Sequence, residues 1–362
     1  MNSHLPSRKR NRVNSRPMKI LFCTGRLLAL SLAIAAPSAH AQGTLLVANQ
    51  KDHTLSFIDA ATAKETFVLK EDRITGHEVT TSPDGRTAYL PIYGDAGVGR
   101  AGTDGHEMLV IDIPSHKITG VVDFGHGVRP HLPVYDTHRN VLYVSTELDQ
   151  AITAIDPKTL KILYKIPTGA PESHMFALSH DGRFAYTTNV GASSVSVLDL
   201  DTHKTLAIIP LGDTGAVKVQ RISISNDDKL LFTSDWDKPR LAVIDTATRK
   251  LKTWLPLPGT GYGSASTHDG RYLILCLSKS SKVAIIDLQT LAVVQTIGVP
   301  AQPQEVLIRP DGLVAYVSCN QDHKVAAIDI KTWKVQALID AGNLADGLAW
   351  SNISSTSAAG GH

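Results

Sequence analysis

Apolar and polar positions alternate along most of this chain in runs of five or six residues, the period of a half-buried β-strand. Ser194-Val195-Ser196-Val197-Leu198 and Lys282-Val283-Ala284-Ile285-Ile286 are plain examples. The runs come in groups of four. Residues 302–308 lead through Arg309-Pro310-Asp311-Gly312 into Val314-Ala315-Tyr316-Val317-Ser318, and residues 325–329 and 335–339 supply two further strands. No segment sustains a helical period.

Two markers give the same repeat length. The first is an Asp at the end of each third strand: Asp59, Asp112, Asp156, Asp199, Asp245, Asp287 and Asp329, spaced by 53, 44, 43, 46, 42 and 42 residues. A Ser or Thr stands three places after every one: Thr62, Ser115, Thr159, Thr202, Thr248, Thr290 and Thr332. This pairing suits a tight turn, so these carboxylates are read as turn-makers. The second marker is the residue five places before each Pro-Asp-Gly-type turn opens: His77, His131, His174, Gln220, Tyr262, Gln304 and Asp346. Four strands per unit of roughly 40–45 residues is the pattern of a β-propeller. The chain enters at a second strand (residues 44–48) and ends on a first strand (residues 346–351). The last strand is therefore expected to complete the N-terminal blade, removing open edges and giving an all-β, seven-bladed ring of four-stranded blades over residues 42–351.

The N-terminus changes the picture of charge and compartment. A basic segment precedes an apolar run at residues 27–36, and Ser38-Ala39-His40-Ala41 offers small residues for cleavage. This reads as a signal peptide over residues 1–41, with Met1 or Met18 as the start and a periplasmic or secreted product. Taking its seven basic and no acidic residues from a chain of net charge +2 leaves −5, so nucleic acid is an unsuitable partner. The apolar run is too short to span a bilayer, and the mature chain contains no transmembrane segment. Residues 352–362 have the composition of a disordered tail. Cys276 and Cys319 fall in second strands of adjacent repeats; a disulfide suits the compartment, but packed sheets lie about 10 Å apart and a bridge needs Cα atoms within about 7 Å. Their pairing stays open.

Ala185-Tyr186-Thr187-Thr188-Asn189 and Ala315-Tyr316-Val317-Ser318 resemble the repeat of the YVTN family of seven-bladed propellers, and the likeness extends over residues 44–351. Related propellers include lactonases of the 6-phosphogluconolactonase type, the d1-heme domain of cytochrome cd1 nitrite reductase, and nitrous-oxide reductase. Such repeats specify architecture far more strongly than activity. The resemblance implies that the second marker opens the innermost strand beside the central channel. His77, His131 and His174 would then form an arc from three consecutive blades. Neutral imidazoles suit copper, iron or zinc, and three leave a coordination position open. Tyr262 and Asp346 are candidate acid/base groups across the ring, and Gln220 and Gln304 candidate ligand hydrogen-bonders. The bland alternative is a polar funnel in which the histidines satisfy backbone groups. Nitrous-oxide reductase needs many more hub histidines, so its copper cluster does not carry over.

The 54-residue spacing between His77 and His131 contains an insertion at residues 94–105 between the second and third strands of the second blade. It is expected on the same face as His77. Gly97-x-Gly99-x-x-Gly102 has the letters of a dinucleotide loop but no following helix, so an anion-binding loop or lid using Arg100 is the better reading. Glu78, Arg221 and Asp235-Trp236 are expected on that face too, and His126 and Arg129 are further candidates for an anionic ligand. There is no Gly-x-Ser-x-Gly, His-Glu-x-x-His, Cys-x-x-Cys or P-loop, and no Cys-x-x-Cys-His for covalent heme. Two functions remain in view: a pocket binding a metal, cofactor or small molecule, as a lactonase-like hydrolase or an oxidoreductase, and a non-enzymatic scaffold for another envelope protein. A third, handling of d1 heme, has only the hub histidines behind it.

Overall fold

Each of the seven Asp residues ends a third strand and turns the chain into the fourth. Its carboxylate accepts the backbone N–H of the Ser or Thr three residues on, at 2.6–3.3 Å in every copy. The next residue (Ala63, His116, Leu160, His203, Arg249, Leu291 or Trp333) takes a left-handed conformation, φ between 50° and 58°. The side-chain bonds compensate for that unfavourable φ, and seven equivalent hairpins result.

This is a computed structural model, and it describes residues 42–95 and 97–354. Seven four-stranded antiparallel sheets form the blades of a propeller. Second and third strands such as Thr44–Asn49 and Thr54–Asp59 are buried along their whole length, whereas fourth strands such as Lys64–Lys70 are mostly exposed. Apolar cores lie between adjacent blades: Leu46, Phe57 and Ala349 of the first blade pack with Leu90, Leu109 and Ile111 of the second. The ring closes as the sequence implies. Ala345–Ser351 pairs with Thr44–Asn49, with Thr44 opposite Ser351 and Leu46 opposite Ala349. The Thr44 hydroxyl also donates to the Ile353 carbonyl at 2.7 Å, so the chain stays bonded just past the last strand.

The expected signal segment, and residues 355–362 of the expected tail, lie outside the described residues. Among the described residues no helix is long and apolar enough to cross a membrane. Cys276 and Cys319 are free, buried thiols in one apolar cluster, which resolves the open pairing against a bridge.

Candidate functional site

The seven tracked residues meet. His77, His131, His174, Gln220, Tyr262, Gln304 and Asp346 all line one central cavity of about 760 Å³. Each opens, or shortly precedes, the first strand of its blade, so sevenfold pseudo-symmetry delivers one side chain per blade to the axis. A second ring, of which the sequence reading had only Trp236, lies beside the first. The residue immediately after each second strand, or at the matching register, is Gln50, Tyr93, Glu147, Val190, Trp236, Ser278 and Asn320. Gln50, Tyr93, Val190, Trp236 and Asn320 line the same cavity. The repeat register would have found them; no shared side-chain chemistry marks them.

The three histidines are neighbours with different jobs. His174 stacks on His131 with ring centroids 4.1 Å apart. Its Nδ1 donates to the buried Glu147 carboxylate at 2.8 Å, and the Tyr93 hydroxyl donates to the same oxygen at 2.9 Å. Burial opposes the charge on Glu147, but the bonds from His174 and Tyr93 and the nearby Arg129 outweigh it and hold its pKa below the usual range. Burial and the Glu147 charge push the Tyr93 phenol up. His131 Nδ1 meets the Met175 thioether at 3.0 Å, and its Nε2 lies 3.4 Å from Nδ1 of His77. Burial, together with His174 and Arg221, lowers the His77 pKa to about 3. His131 is lowered as well, by burial, its histidine neighbours and Arg221. Both are therefore neutral imidazoles at physiological pH.

The expected three-histidine metal centre is not built. Both nitrogens of His131 are occupied, by Met175 and His77, and among the described residues no set of three His, Cys, Asp or Glu side chains converges on a metal position. His174 differs from the other two. With Nδ1 held by a carboxylate, its Nε2 is the nitrogen left for a ligand, the arrangement that orients metal-binding histidines.

Across the cavity floor, Arg221 runs from the fifth blade to acids on three others. Its guanidinium meets Glu78 at 2.5 Å, Asp346 at 2.8 Å and Glu305 at 3.9 Å. Burial and the two acid neighbours drive Glu78 well up, against the pull of Arg221. Burial likewise raises Asp346, and raises Glu305 to about 7. Two glycines make room for this chord. A Cβ on Gly263 would stand 2.1 Å from the Gln304 carbonyl and 3.1 Å from Arg221 Cδ, and one on Gly347 would stand 2.4 Å from the His77 carbonyl. Asp346 is further held by Gln50, and Tyr262 donates its hydroxyl to Gln220 at 2.9 Å. Burial pushes that phenol far up, despite Arg221 lying 5.2 Å from the ring centroid. The side chains of Tyr262 and Asp346 are thus both committed to protein partners, Tyr262 to Gln220 and Asp346 to Arg221 and Gln50.

The insertion is where the sequence places it. Gly97, Val98, Gly99 and Arg100 form part of the cavity wall. Arg129 is not available to a ligand as expected. It pairs with Asp104 at 2.6 Å and with Glu147 at 3.4 Å, and it donates to the carbonyls of Gly97 and Arg100, tying the insertion down. His126 is also outside the cavity, exposed and bonded to Asp149 at 2.8 Å. Arg100 and Lys218 are cations on the rim, Lys218 paired with Asp237 at 3.4 Å, and Trp236 packs edge-on against Tyr262 at 4.6 Å as an aromatic wall. Asp235, beside Trp236, is held by Arg240 in its own hairpin.

The fold and this hub define a seven-bladed propeller with a deep, histidine-bearing axial cavity. Residues 135–354 match the family model described as Cytochrome D1 heme domain, and the chain belongs to that family. Among solved structures it is similar to Kuenenia stuttgartiensis hydrazine synthase, at 18% identity and TM-score 0.66, covering 82% of this chain and 98% of that one. It is also similar to the dihydro-heme d1 dehydrogenase NirN in complex with DHE, at 16% identity and TM-score 0.62, covering 88% of this chain and 78% of that one. At these identities the structural likeness establishes the fold. No curated protein matches the chain.

Proposed function

We propose that the axial cavity binds a d1-type heme, with His174 as the iron ligand, and that the protein acts as an exported heme-binding oxidoreductase or heme-handling protein. The observation that carries this is the His174–Glu147 pair in a chain of the Cytochrome D1 heme domain family. Heme iron commonly takes an axial imidazole, and a carboxylate on the far nitrogen fixes its tautomer and raises its basicity.

The residues fit such a group in three ways. A cavity of about 760 Å³ falls within the roughly 300–1,000 Å³ typical of small-molecule sites. Trp236 and Tyr262 supply aromatic surface for a macrocycle. Arg100 and Lys218 place cations at the rim, where carboxylate side chains of a tetrapyrrole would be received, while the neutral His77 and His131 add no charge inside. Bound iron would supply one-electron redox chemistry. The chain's own part is to hold His174 in one tautomer, to exclude water beneath it with the Arg221 chord, and to wall the cavity with the insertion. A lactonase-like hydrolysis is less well served, because Asp346 is tied to Arg221 and Gln50 and the Tyr262 hydroxyl is committed to Gln220. The basic and apolar N-terminus supports export.

The test is reconstitution. Purified protein titrated with d1 heme, and separately with iron protoporphyrin, should give a saturable absorbance change at one heme per chain. His174→Ala should lose the imidazole-ligated spectrum and bind at least about tenfold more weakly, roughly 1.4 kcal/mol. No saturable binding, or identical spectra for wild type and His174→Ala, would discard this assignment.

A further inference from the structure

Burial without a partner singles out one sector of the hub. Buried polar side chains in folded proteins are nearly always hydrogen-bonded. The polar side chains that blades one to four send to the two rings follow this rule, as do Gln220 and Tyr262. Each lies within hydrogen-bond distance of another protein group. Ser278, Gln304 and Asn320 do not follow it. They are 8%, 6% and 7% exposed, and among the described residues their side chains have no hydrogen-bond partner. All three come from the neighbouring blades six and seven. A side cavity of about 250 Å³ lies in that sector, lined by Ser278, Gln304, Gln302, Lys279 and Trp236 among others. It adjoins the axial cavity and shares Trp236, Gln302 and Gln304 with it.

The backbone beneath these side chains is fixed. The Ser278 N–H donates to the Thr260 carbonyl at 3.1 Å, the Asn320 N–H to the Gln302 carbonyl at 3.0 Å, and the Trp236 N–H to the Lys218 carbonyl at 2.9 Å. Side chains with unspent bonding capacity on a held backbone make a preorganised site. We propose that the side cavity binds a small uncharged molecule carrying a carboxamide, lactam or urea group, with Gln304 and Ser278 as its hydrogen-bond partners. The donor set decides the class. Gln and Ser each donate and accept, and neither carries charge, so the matching ligand group must also do both. A carboxylate only accepts, and would leave the Gln304 carbonyl oxygen unmet. An ammonium finds no counter-charge, since no Asp or Glu lines the side cavity among the described residues. Lys279 is exposed and donates to the Trp236 carbonyl at 3.2 Å. Water meets such groups in solution, and a ligand that reproduces its hydrogen bonds displaces it. His174 takes no part in this cavity, so the site does not depend on heme binding and the two proposals fail separately.

Nicotinamide and nicotinate test this as probes of one shape, a neutral amide against a carboxylate. Calorimetric titration of the purified protein, with no heme added, should show saturable nicotinamide binding at one per chain. Nicotinate should bind at least about tenfold more weakly. Gln304→Leu removes the amide at similar volume and should weaken nicotinamide by about tenfold, and Ser278→Ala by about fivefold. Both variants should melt at the wild-type temperature. Ser278→Ala removes a single oxygen, so it decides the matter even where Gln304→Leu fails to fold. Absence of saturable nicotinamide binding overturns the proposal. So does nicotinate binding as tightly as nicotinamide, which would transfer the site to Lys279, and so does an unchanged nicotinamide affinity in Ser278→Ala.

Discussion

One guanidinium faces three carboxyl groups on the cavity floor, Glu78 and Asp346 buried and Glu305 half-buried, and that imbalance governs how single residues respond to pH. Glu305 is raised by burial, with Asp346 adding to it and Arg221 opposing, to about 7. Between the ordinary carboxyl range and pH 7 the folded protein keeps a proton there that the unfolded chain has released. Stability from this group therefore falls as pH rises through that window. His77 works the other way: lowered to about 3, it stays neutral in the fold while the unfolded chain is protonated below about 6.5, so its contribution is lost as pH falls from there towards 3. Glu305→Gln isolates the first effect, since the amide can still accept from the Leu348 N–H that Glu305 now binds at 2.7 Å. Urea unfolding should find the variant close to wild type at pH 4.5 and more stable than wild type at pH 8, by an amount on the order of 2 kcal/mol. A difference independent of pH would contradict the assignment. Arg221 itself is the least replaceable member, because its loss leaves several carboxyls buried without a partner cation.

At the scale of elements, the insertion between Thr87–Gly94 and Asp104–Asp112 departs most from the repeat, and one side chain anchors it. Arg129 ties the loop to Glu147, and through Glu147 to His174. A loop with no core of its own depends on such bonds for its order. Arg129→Met should speed amide exchange across residues 97–103 by about tenfold, equivalent to roughly 1.4 kcal/mol of local stability, and leave the blade strands unaffected. Uniform acceleration throughout the protein would instead indicate global destabilisation. The hairpins were legible at this scale because the Asp and hydroxyl pair repeats in all seven copies. The anchoring was not, because Arg129 and Glu147 belong to the third blade and the loop to the second; His126, only three residues before Arg129, turns to Asp149 outside the cavity instead.

For the molecule as a whole, the ring, its blade number and its closure were readable from spacing alone. The first-strand ring of the cavity followed from the same register. What the sequence concealed was everything that crosses the axis. Arg221 meets Glu78 only because blades five and two face each other over the channel, and no periodicity encodes a chord. The second ring was hidden for a different reason: Gln, Tyr, Glu, Val, Trp, Ser and Asn share a position and no chemistry. Register brings His77, His131 and His174 together, but it does not say which ring nitrogens stay free: those of His131 face Met175 and His77. Closure itself is testable. A chain ending at residue 344 lacks the strand that pairs with Thr44–Asn49, together with Asp346. It should lose its single cooperative unfolding transition and self-associate through the open edge, and a synthetic peptide of residues 345–354 should reverse both. A monomeric, cooperatively folding truncation would refute this role.

The same last strand has a consequence for how the protein is made. During synthesis six blades can form in order, but the first waits with three strands until residues 345–351 arrive. Asp346 arrives with them, so the floor of the cavity is completed at the same moment as the ring. A chain interrupted before residue 345 therefore has neither a closed ring nor the Asp346 end of the Arg221 chord.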